Sequence, residues 1–472
     1  MAALLLASSL IAAATAASTP LKVATYRKSP NGFTSPIRGW SPFPLEANPD
    51  SSPDFKFDQS HIQTQCDILS TTLAPGNYTY CLVDSGWSVG AEGDEHGRII
   101  PEASTFEDIP GLASELHAKG LKLGLYVVPG AFIADADKTI LDTDTKIGEI
   151  CSGNTGLSRC EFDYSHPATQ KWHDSVVNLF AEWGVDAIKL DFVTPGSPSE
   201  DSGLPSDQSG SVIAFHNAIT QSKREIHLEI SWKLDRSKEF FEIWNQNADS
   251  MRTDQDINNM NGDTLVNWDT VQRAIENYRQ WIVAGLALFD TLAVRPGLDI
   301  LPIGDYDSIT DGATKEIRQT MLTHWIGAGA DLVIGSDLTT LDKTGIEVLT
   351  NEDVLAIAEF TSVYPIQPRN PGTGGQDPKQ VQAWIAGPSP AGEAVVIVAN
   401  YGPAGDQAGY ETHLEGVRTV TVSLEDLGLE GAFNVHNVWT GKKVEVGKNG
   451  LSFELGEKES VLLKLERVGF AV

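Results

Sequence analysis

Two segments that carry carboxylates give the clearest chemical signal in this sequence. The first is the apolar run 185–190, which ends directly at Asp191. The second is the segment 251–257, in which Arg252 lies four residues before Asp256. An apolar strand that stops at a carboxylate is typical of the carboxyl end of a parallel sheet, where α/β enzymes hold their catalytic groups. Two such carboxylates are the minimum equipment for hydrolysing a glycosidic bond.

A structural role is the alternative for each acid taken alone. Asp191 would then cap the following helix and Asp256 would pair with Arg252 on the surface, since acids are common at strand-to-helix turns. Asp254 is a second acid in the same segment, and the spacing from Arg252 favours Asp256 as the functional one. Asp254 is therefore expected to be a capping or pairing acid. The two motifs together favour catalysis.

Composition indicates a globular chain with more than one core. The chain has 472 residues, of which 41% are hydrophobic and 21% are charged, and its formal net charge is −30. A chain of this length is expected to divide into a large domain and a smaller one. The negative charge argues against nucleic acid or an anionic membrane as a partner, because both would repel it.

The first 17 residues have the features of a secretory signal peptide. A short apolar core, 4–6 and 10–11, is followed by the small residues 14–16 that suit a cleavage site. No later apolar stretch is long enough to span a bilayer. We therefore expect a secreted, extracellular protein that is not anchored in a membrane.

Secretion makes the four cysteines candidates for disulfides. Four cysteines permit three pairings, and proximity in the sequence favours Cys66–Cys81 and Cys151–Cys160. Asn77 opens the one Asn-Tyr-Thr sequon and is a candidate glycosylation site. Neither a Cys-x-x-Cys motif nor a histidine cluster with zinc spacing is present in the sequence, so no metal or other cofactor is expected.

The elements that position these residues alternate between short apolar runs and longer amphipathic ones. Strands are predicted at 80–84, 121–126, 185–190, 226–231 and 331–335, among others, with helices at 109–117 and 169–183. Strand, helix and strand at this repeat length imply parallel strands joined by right-handed crossovers. About eight such strands fit a (β/α)8 TIM barrel. An open doubly wound sheet is the weaker alternative, because no glycine-rich phosphate loop follows the first strand.

The pattern of hydrophobic and β-branched residues changes after a turn-rich linker at 370–375. The later runs 394–399, 420–424 and 461–465 are β-branched or alternating and are separated by turn signals, which is typical of an antiparallel β-sandwich. We therefore predict a signal peptide over residues 1–17, a catalytic barrel over 18–368 and a C-terminal β-sandwich over 369–472.

In the order of its motifs the chain resembles glycoside hydrolase family 27, the α-galactosidase family of (β/α)8 barrels with a C-terminal β domain. The likeness runs from about Arg38 to at least Asn400. It lies in eight ordered segments: 39–40, 82–87, 117–126, 183–191, 252–257, 296–304, 325–338 and 349–354.

The resemblance implies that Asp191 is the nucleophile and Asp256 the acid/base of a retaining mechanism. Lys189, two residues before Asp191 on the same face of the strand, would favour the ionised nucleophile, and a neighbouring carboxylate would help Asp256 to hold a proton. The sugar-binding positions implied by the resemblance are Trp40, Asp84, Tyr126, Lys189, Arg252 and Asp299. Taken singly, Trp40 and Tyr126 are more often core aromatic residues than sugar platforms.

Two departures from the family pattern fall on sugar-binding positions. The family's paired acids read Asp84-Ser85 here, so one carboxylate that would hold two sugar hydroxyls is replaced by Ser85. The loop that reads the 2-position of the sugar, which includes Ser231 and Trp232, also differs from the usual galactosidase sequence. These changes bear on which sugar is bound and leave the catalytic pair intact.

The sequence thus predicts a secreted retaining exo-α-glycosidase, with α-galactosidase as the leading name. The alternatives are a same-family retaining enzyme for another sugar, such as an isomaltose-releasing dextranase or a β-L-arabinopyranosidase, and a catalytically inactive carbohydrate-binding barrel. The presence of both acids argues against the last. The expected partner is an oligosaccharide or polysaccharide with a terminal α-linked sugar, and the oligomeric state is left open.

Overall fold

Eight short parallel strands form a closed ring in the computed structural model, which describes residues 18–50, 52–153, 156–197, 203–260, 262–306, 312–405 and 408–469. The predicted signal peptide, 1–17, lies outside the described residues. The strands are β1 (Arg38–Trp40), β2 (Tyr80–Val83), β3 (Lys122–Val127), β4 (Val185–Leu190), β5 (His227–Ile230), β6 (Ser250–Arg252), β7 (Arg295–Gly297) and β8 (Leu332–Ile334).

The order of these strands confirms the predicted (β/α)8 barrel. Hydrogen bonds join them as β7-β6-β5-β4-β3-β2-β1-β8. Leu301, which follows β7, pairs in parallel with Ile334 of β8 and so closes the ring. All carboxyl ends therefore meet at one face, where (β/α)8 enzymes build their active sites.

Helices surround the ring, and local sequence signals set their ends. His166 caps the helix Pro167–Trp183, and Gly184, with a φ of 87°, ends it and leads directly into β4. None of the helices in the described ranges combines the length and apolar character needed to cross a bilayer. The α-helices are Phe43–Glu46, Gln59–Ser70, Ile109–Ala118, Ile147–Ile150, Pro167–Trp183, Ser209–Ser222, Lys238–Asn247, Trp268–Leu288, Lys315–Ala328, Lys343–Leu349 and Glu352–Thr361, with 3₁₀ turns at Ala74–Gly76, Ile133–Asp135 and Leu338–Thr340.

An excursion between β3 and the helix Pro167–Trp183 begins at the carboxyl face of the barrel. It contains three short antiparallel strands, Ala131–Phe132, Cys151–Ser152 and Arg159–Phe162. The disulfide Cys151–Cys160 holds its tip, with Cα atoms 5.4 Å apart. A second disulfide, Cys66–Cys81, ties the helix Gln59–Ser70 to β2. These are the two pairs expected from sequence proximity.

The C-terminal part of the chain forms two antiparallel sheets. Strands β9 (Gln367–Arg369), β10 (Val381–Ala386), β11 (Glu393–Asn400), β13 (Phe433–Asn437), β14 (Lys442–Val444) and β16 (Glu459–Arg467) form a six-stranded sheet in the order β9-β10-β11-β16-β13-β14. Strands β12 (Arg418–Val422) and β15 (Leu451–Leu455) pair separately. The predicted β-sandwich is therefore confirmed, and the expected boundary between residues 368 and 369 falls within its first strand.

The second domain is anchored to the barrel through buried aromatic residues. Trp384 of β10 stacks on Tyr278 of the helix Trp268–Leu288, with ring centres 5.8 Å apart. The Tyr401 hydroxyl accepts a hydrogen bond from Trp384 Nε1 at 2.8 Å and lies 2.9 Å from His324 Nε2. The sandwich thus packs against the outer helices of the barrel, Trp268–Leu288 and Lys315–Ala328.

Candidate active site

Most of the sequence-predicted site residues lie together at the carboxyl ends of the barrel strands. They follow or end six different strands: Asp84 and Ser85 after β2, Tyr126 on β3, Lys189 and Asp191 on and after β4, Ser231 and Trp232 after β5, Arg252 and Asp256 on and after β6, and Asp299 after β7. A narrow cavity along the barrel axis ends beneath them, and its free space of about 30 Å³ has room for only a water or two. The site therefore has a closed floor.

Asp191 is held in place by the backbone on both sides of it. Its N–H donates to the carbonyl oxygen of Val127 at 2.9 Å, and its Oδ1 accepts the N–H of Phe192 at 2.8 Å. Phe192 has a φ of 58°, a left-handed conformation that is rare for such a side chain. This turn directs the next N–H back to the Asp191 carboxylate and fixes its orientation.

The electrostatics of Asp191 combine burial with one close cation. Burial raises the pKa of Asp191, Lys189 lowers it, and Asp84 and Asp256 raise it further. The Tyr126 hydroxyl is within hydrogen-bonding reach of the Asp191 carboxylate, and burial, Asp191 and Asp84 raise the pKa of Tyr126 well above its usual value. Asp191 is therefore a buried carboxylate whose charged form depends on Lys189.

Lys189 links the nucleophile to the sugar-binding side of the site. Its Nζ donates to Asp84 Oδ2 at 2.8 Å and lies 5.5 Å from the ring centre of Tyr126 and 5.1 Å from that of Phe43. Burial alone would lower the pKa of Lys189, but Asp84, Asp191 and Glu229 raise it above its usual value. The lysine is therefore a permanent cation in this site.

Arg252 bridges two carboxylates on the opposite side. Its Nη1 lies 2.8 Å from Asp299 Oδ1, and its Nη2 donates to Asp256 Oδ1 at 3.1 Å. Gly297 makes room for this side chain, because a Cβ there would lie 3.2 Å from Arg252 Cδ. Asp299 has a φ of 82°, and its Oδ2 accepts the N–H of Ile257 at 2.7 Å. The guanidinium thus fixes the loop that carries Asp256.

The two acids of the loop after β6 have different surroundings. The side chain of Asp256 is 24% exposed and contacts the protein through Arg252. Asp254 is fully buried, and its carboxylate accepts hydrogen bonds from Arg273 Nε at 2.6 Å and Asn277 Nδ2 at 3.0 Å. Asp254 is therefore a structural pairing acid, whereas Asp256 is available to a ligand.

Ser231 and Trp232, which follow β5, present polar atoms that the described residues leave unsatisfied. Ser231 Oγ and Trp232 Nε1 are both buried without a hydrogen-bond partner in the described part of the chain. The backbone N–H of Trp232 donates to Ser197 Oγ at 3.1 Å. A buried donor or acceptor without a partner is costly, so these atoms are suited to meeting the hydroxyl groups of a ligand.

Trp40 departs from the expected role of a sugar platform. It has no exposed surface, packs edge-on against Phe55, and donates through Nε1 to the carbonyl oxygen of Ser336 at 2.9 Å. Because no face of the indole is open to the site, the structure places Trp40 in the core at the end of β1. Trp40 is therefore a core aromatic residue, which is the alternative that the sequence had left open for it.

Three residues around the site were missed in the sequence, and their signals differ. Glu229 shares one face of β5 with Ser231 and lies in register with Lys189 of β4, so strand alternation was a signal that could have found it. Phe192 follows the nucleophile directly, but its left-handed backbone leaves no trace in the sequence. Phe43 belongs to a four-residue helix after β1, and nothing in the local pattern directs it toward Lys189.

Comparisons with known proteins agree with this architecture. Residues 40–359 match a family model described as alpha galactosidase A, and residues 379–465 match one described as alpha galactosidase C-terminal beta sandwich domain. The chain is 43% identical over 459 residues to alpha-galactosidase 3 of Hypocrea jecorina, which covers 95% of this chain and 73% of that protein.

Solved structures share the fold at lower sequence identity. A family 27 β-L-arabinopyranosidase from Geobacillus stearothermophilus superposes with a TM-score of 0.74 at 21% identity, covering 93% of this chain and 98% of that one. Alpha-galactosidase I from Mortierella vinacea gives a TM-score of 0.66 at 17% identity, covering 93% and 98%. With the match of its barrel and of its sandwich, this chain belongs to the α-galactosidase family, glycoside hydrolase family 27.

Proposed function

We propose that this chain is a secreted retaining exo-α-glycosidase that removes terminal α-galactosyl residues, with Asp191 as nucleophile and Asp256 as acid/base. The observation that carries the proposal is the placement of these two carboxylates at the ends of β4 and β6, on one barrel face, where Asp256 is close enough to raise the pKa of Asp191. The name α-galactosidase is supported by the Hypocrea jecorina relative.

The residues divide the reaction between them in a double displacement. Asp191, kept charged by Lys189 and oriented by the N–H of Phe192, attacks the anomeric carbon while Asp256 protonates the leaving oxygen. The bond to the leaving group breaks and a glycosyl ester of Asp191 forms. Asp256 then takes a proton from water, which attacks the same carbon and releases Asp191. Two inversions give overall retention.

The protein side chains on either side of the anomeric carbon have separate roles. Asp84 and Lys189 form a charged pair that can accept and donate hydrogen bonds to sugar hydroxyls, and Asp299 presents a second carboxylate across the site. The closed floor leaves no passage for a chain through the barrel.

A second candidate sugar is favoured by Ser85. A β-L-arabinopyranosyl unit has the ring of galactose without the hydroxymethyl group, so it does not need the carboxylate that Ser85 replaces. If that group is what the missing acid would hold, an arabinopyranoside loses less than a galactoside when the acid is absent. The catalytic steps are the same for both sugars.

A panel of nitrophenyl glycosides tests the function and the mechanism together. The secreted protein should hydrolyse the α-galactoside with the highest kcat/KM, and NMR of the first-formed sugar should show the α anomer. An inverted first product would overturn the retaining scheme. Preference for the β-L-arabinopyranoside or an α-glucoside would replace the sugar and keep the mechanism, and inactivity on the whole panel would favour a binding protein.

Secretion is supported by the leader-like residues 1–17 and by the two disulfides. Asn77 is exposed in the structure and so is accessible to glycosylation. Mass spectrometry of protein from the culture medium should find the chain without its leader and carrying a glycan on Asn77. Retention of residues 1–17 or an unmodified Asn77 would contradict these assignments.

A further inference from the structure

A separate cavity opens beside Ser85 at the rim of the barrel. It has a free volume of about 250 Å³ and lies at the carboxyl ends of β2, β3 and β4. It is much larger than the space beneath the catalytic residues. Its walls include Ser85, Tyr126, Phe192, Leu157 and Arg159, the last two from the excursion that the Cys151–Cys160 disulfide holds.

The cavity lies on the side of the site that the leaving group does not use. Asp256 must stand next to the leaving oxygen, and it follows β6. The strand order β6-β5-β4-β3-β2 places Ser85 and Asp256 on opposite sides of the carboxyl face of the barrel, with Asp191 between them. Asp191 would attack the anomeric carbon of the sugar in the catalytic pocket. A group in the cavity would therefore be joined to the end of that sugar opposite its anomeric carbon.

The walls of the cavity suit a sugar ring. Tyr126 and Phe192 contribute aromatic surface, and Ser85 adds a hydroxyl group. Arg159 is 6% exposed and is fixed by the Phe132 ring, 3.6 Å from its guanidinium carbon, and by a hydrogen bond from Nη1 to the carbonyl oxygen of Gly130 at 3.2 Å. Apolar faces with a few fixed polar groups are typical of small-ligand sites. The cavity is preformed, because a disulfide and a buried cation hold its outer wall.

We propose that this cavity is a second subsite on the glycone side, which binds a sugar joined to the far end of the sugar in the catalytic pocket. The enzyme would then hydrolyse the glycosidic bond of a disaccharide unit, with water giving the free disaccharide and the leaving alcohol. Ser85 lines the cavity and directly follows Asp84 of the catalytic site, so a larger carboxylate at this position would occupy space between the cavity and that site. The inference rests on the proposed function, because it uses the same two catalytic acids.

The test compares two aryl α-galactosides, which carry the donor sugar of the proposed function. One is unsubstituted, and the other carries a β-linked glucosyl group on its 6-hydroxyl, which an α-glycosidase does not remove. Wild-type enzyme should release the phenol from both, with kcat/KM values within about tenfold of each other. Mass spectrometry should find the intact disaccharide as the sugar product.

A variant at Gly90 separates the subsite from the catalytic pocket. Gly90 lines the cavity, and a Cβ on it would meet nothing within 4 Å, so Gly90→Phe can fill the cavity without strain at its base. This variant should lose at least about tenfold in kcat/KM on the substituted substrate and less than about twofold on the unsubstituted one. Gly90→Ala, the matched control, should keep both activities.

The outcomes distinguish this inference from the proposed function. Hydrolysis of the unsubstituted substrate alone would overturn the subsite and leave the function standing. Equal losses on both substrates in Gly90→Phe would also overturn it, because the cavity would then serve the catalytic pocket itself. Inactivity of wild-type enzyme on every unsubstituted glycoside would instead refute the function.

Discussion

The candidate active site lies in the mouth of the barrel, that is, at the carboxyl ends of its strands. The two sides of this mouth are built differently. On the side of β6 and β7, Arg252 joins Asp256 to Asp299, and the neighbouring Asp254 is locked by Arg273 and Asn277. On the side of β2 and β3, Asp84 has Lys189 as its one cation among the described residues, and the next residue, Ser85, opens onto a cavity.

Under the proposed mechanism, each side of the site serves a different part of the reaction. The acid/base must stay within reach of one oxygen atom, and a buried ion-pair network fixes its loop at the cost of desolvating several charges. The side of β2 meets the part of the sugar that varies between substrates. There, one small residue changes the shape of the pocket without disturbing either acid. Under the proposed mechanism, the acid/base and the variable part of the sugar are therefore held by different residues, and Lys189 interacts with both Asp84 and the proposed nucleophile.

Loss of the nucleophile should have the largest effect. Asp191→Ala should lower turnover of aryl glycosides by at least about 10⁴-fold, because it removes the carboxylate that forms the glycosyl ester. Azide should partly restore turnover by taking the place of the missing carboxylate. Unchanged far-UV circular dichroism would show that the fold is intact. If the variant keeps more than a few per cent of wild-type activity, Asp191 is not the nucleophile.

Loss of the acid/base should depend on the leaving group. Asp256→Ala should cost about 10²–10⁴-fold on oligosaccharides, which need protonation, and far less on activated aryl glycosides. The matched control is Asp254→Ala, which leaves Arg273 buried without its carboxylate. That variant should lower the melting temperature and affect all substrates alike. The assignment of the two acids is wrong if the leaving-group dependence appears in the Asp254 variant.

The fold and the location of the two proposed catalytic acids could be predicted because they depend on local patterns. An apolar run that ends at a carboxylate specifies β4 and the position of Asp191, and the spacing from Arg252 specifies Asp256. The barrel then brings the ends of β4 and β6 to one face. Asp254 could be set apart by its spacing from Arg252. The six-stranded sheet after residue 366 also follows from alternating β-branched runs.

Features that depend on tertiary packing could not be predicted in this way. Trp40 lies at a strand end like the true site residues, yet the direction of its side chain places it in the core. The left-handed backbone at Phe192 and Asp299 and the cavity beside Ser85 arise from packing between distant segments. Asp299 was identified through family resemblance, and its pairing with Arg252 is visible only in the structure.

Glu229 lies on β5, between the two sides of the mouth, and links them electrostatically. Burial raises the pKa of Glu229 from 4.5 to about 7, an effect that Lys189 opposes and Asp331 strengthens. The folded protein therefore binds this proton more tightly than the unfolded chain does. The resulting stabilisation is fully present below about pH 4.5 and is lost as the pH rises through about 7.

Replacing Glu229 removes this pH dependence. Relative to wild type, Glu229→Gln should gain about 3 kcal/mol in the free energy of unfolding at pH 8 compared with pH 4.5. Urea denaturation at the two pH values measures the difference. Glu239→Gln, on an exposed helix surface, is the control and should show no such change. Equal stability differences at both pH values would mean that Glu229 does not titrate in this range.

The smallest expected change in activity comes from a substitution on the side of β2 and β3, where Ser85 lies next to the cavity. Ser85→Asp restores a carboxylate that accepts charge-assisted hydrogen bonds from two hydroxyls, where serine makes weaker single contacts. One such bond gained is worth about 1.5 kcal/mol, so kcat/KM on unsubstituted α-galactosides should rise about tenfold. The same carboxylate would occupy part of the cavity that Ser85 lines and should lower kcat/KM on substrates that carry a second sugar on the 6-hydroxyl. Ser88→Asp adds the same charge farther along the cavity wall and should not raise activity on the unsubstituted substrate.

A loss of activity on both kinds of substrate in Ser85→Asp would contradict this expectation. The new carboxylate would then be unpaired in a pocket shaped for another sugar, and both sides of the mouth would be specialised for that sugar.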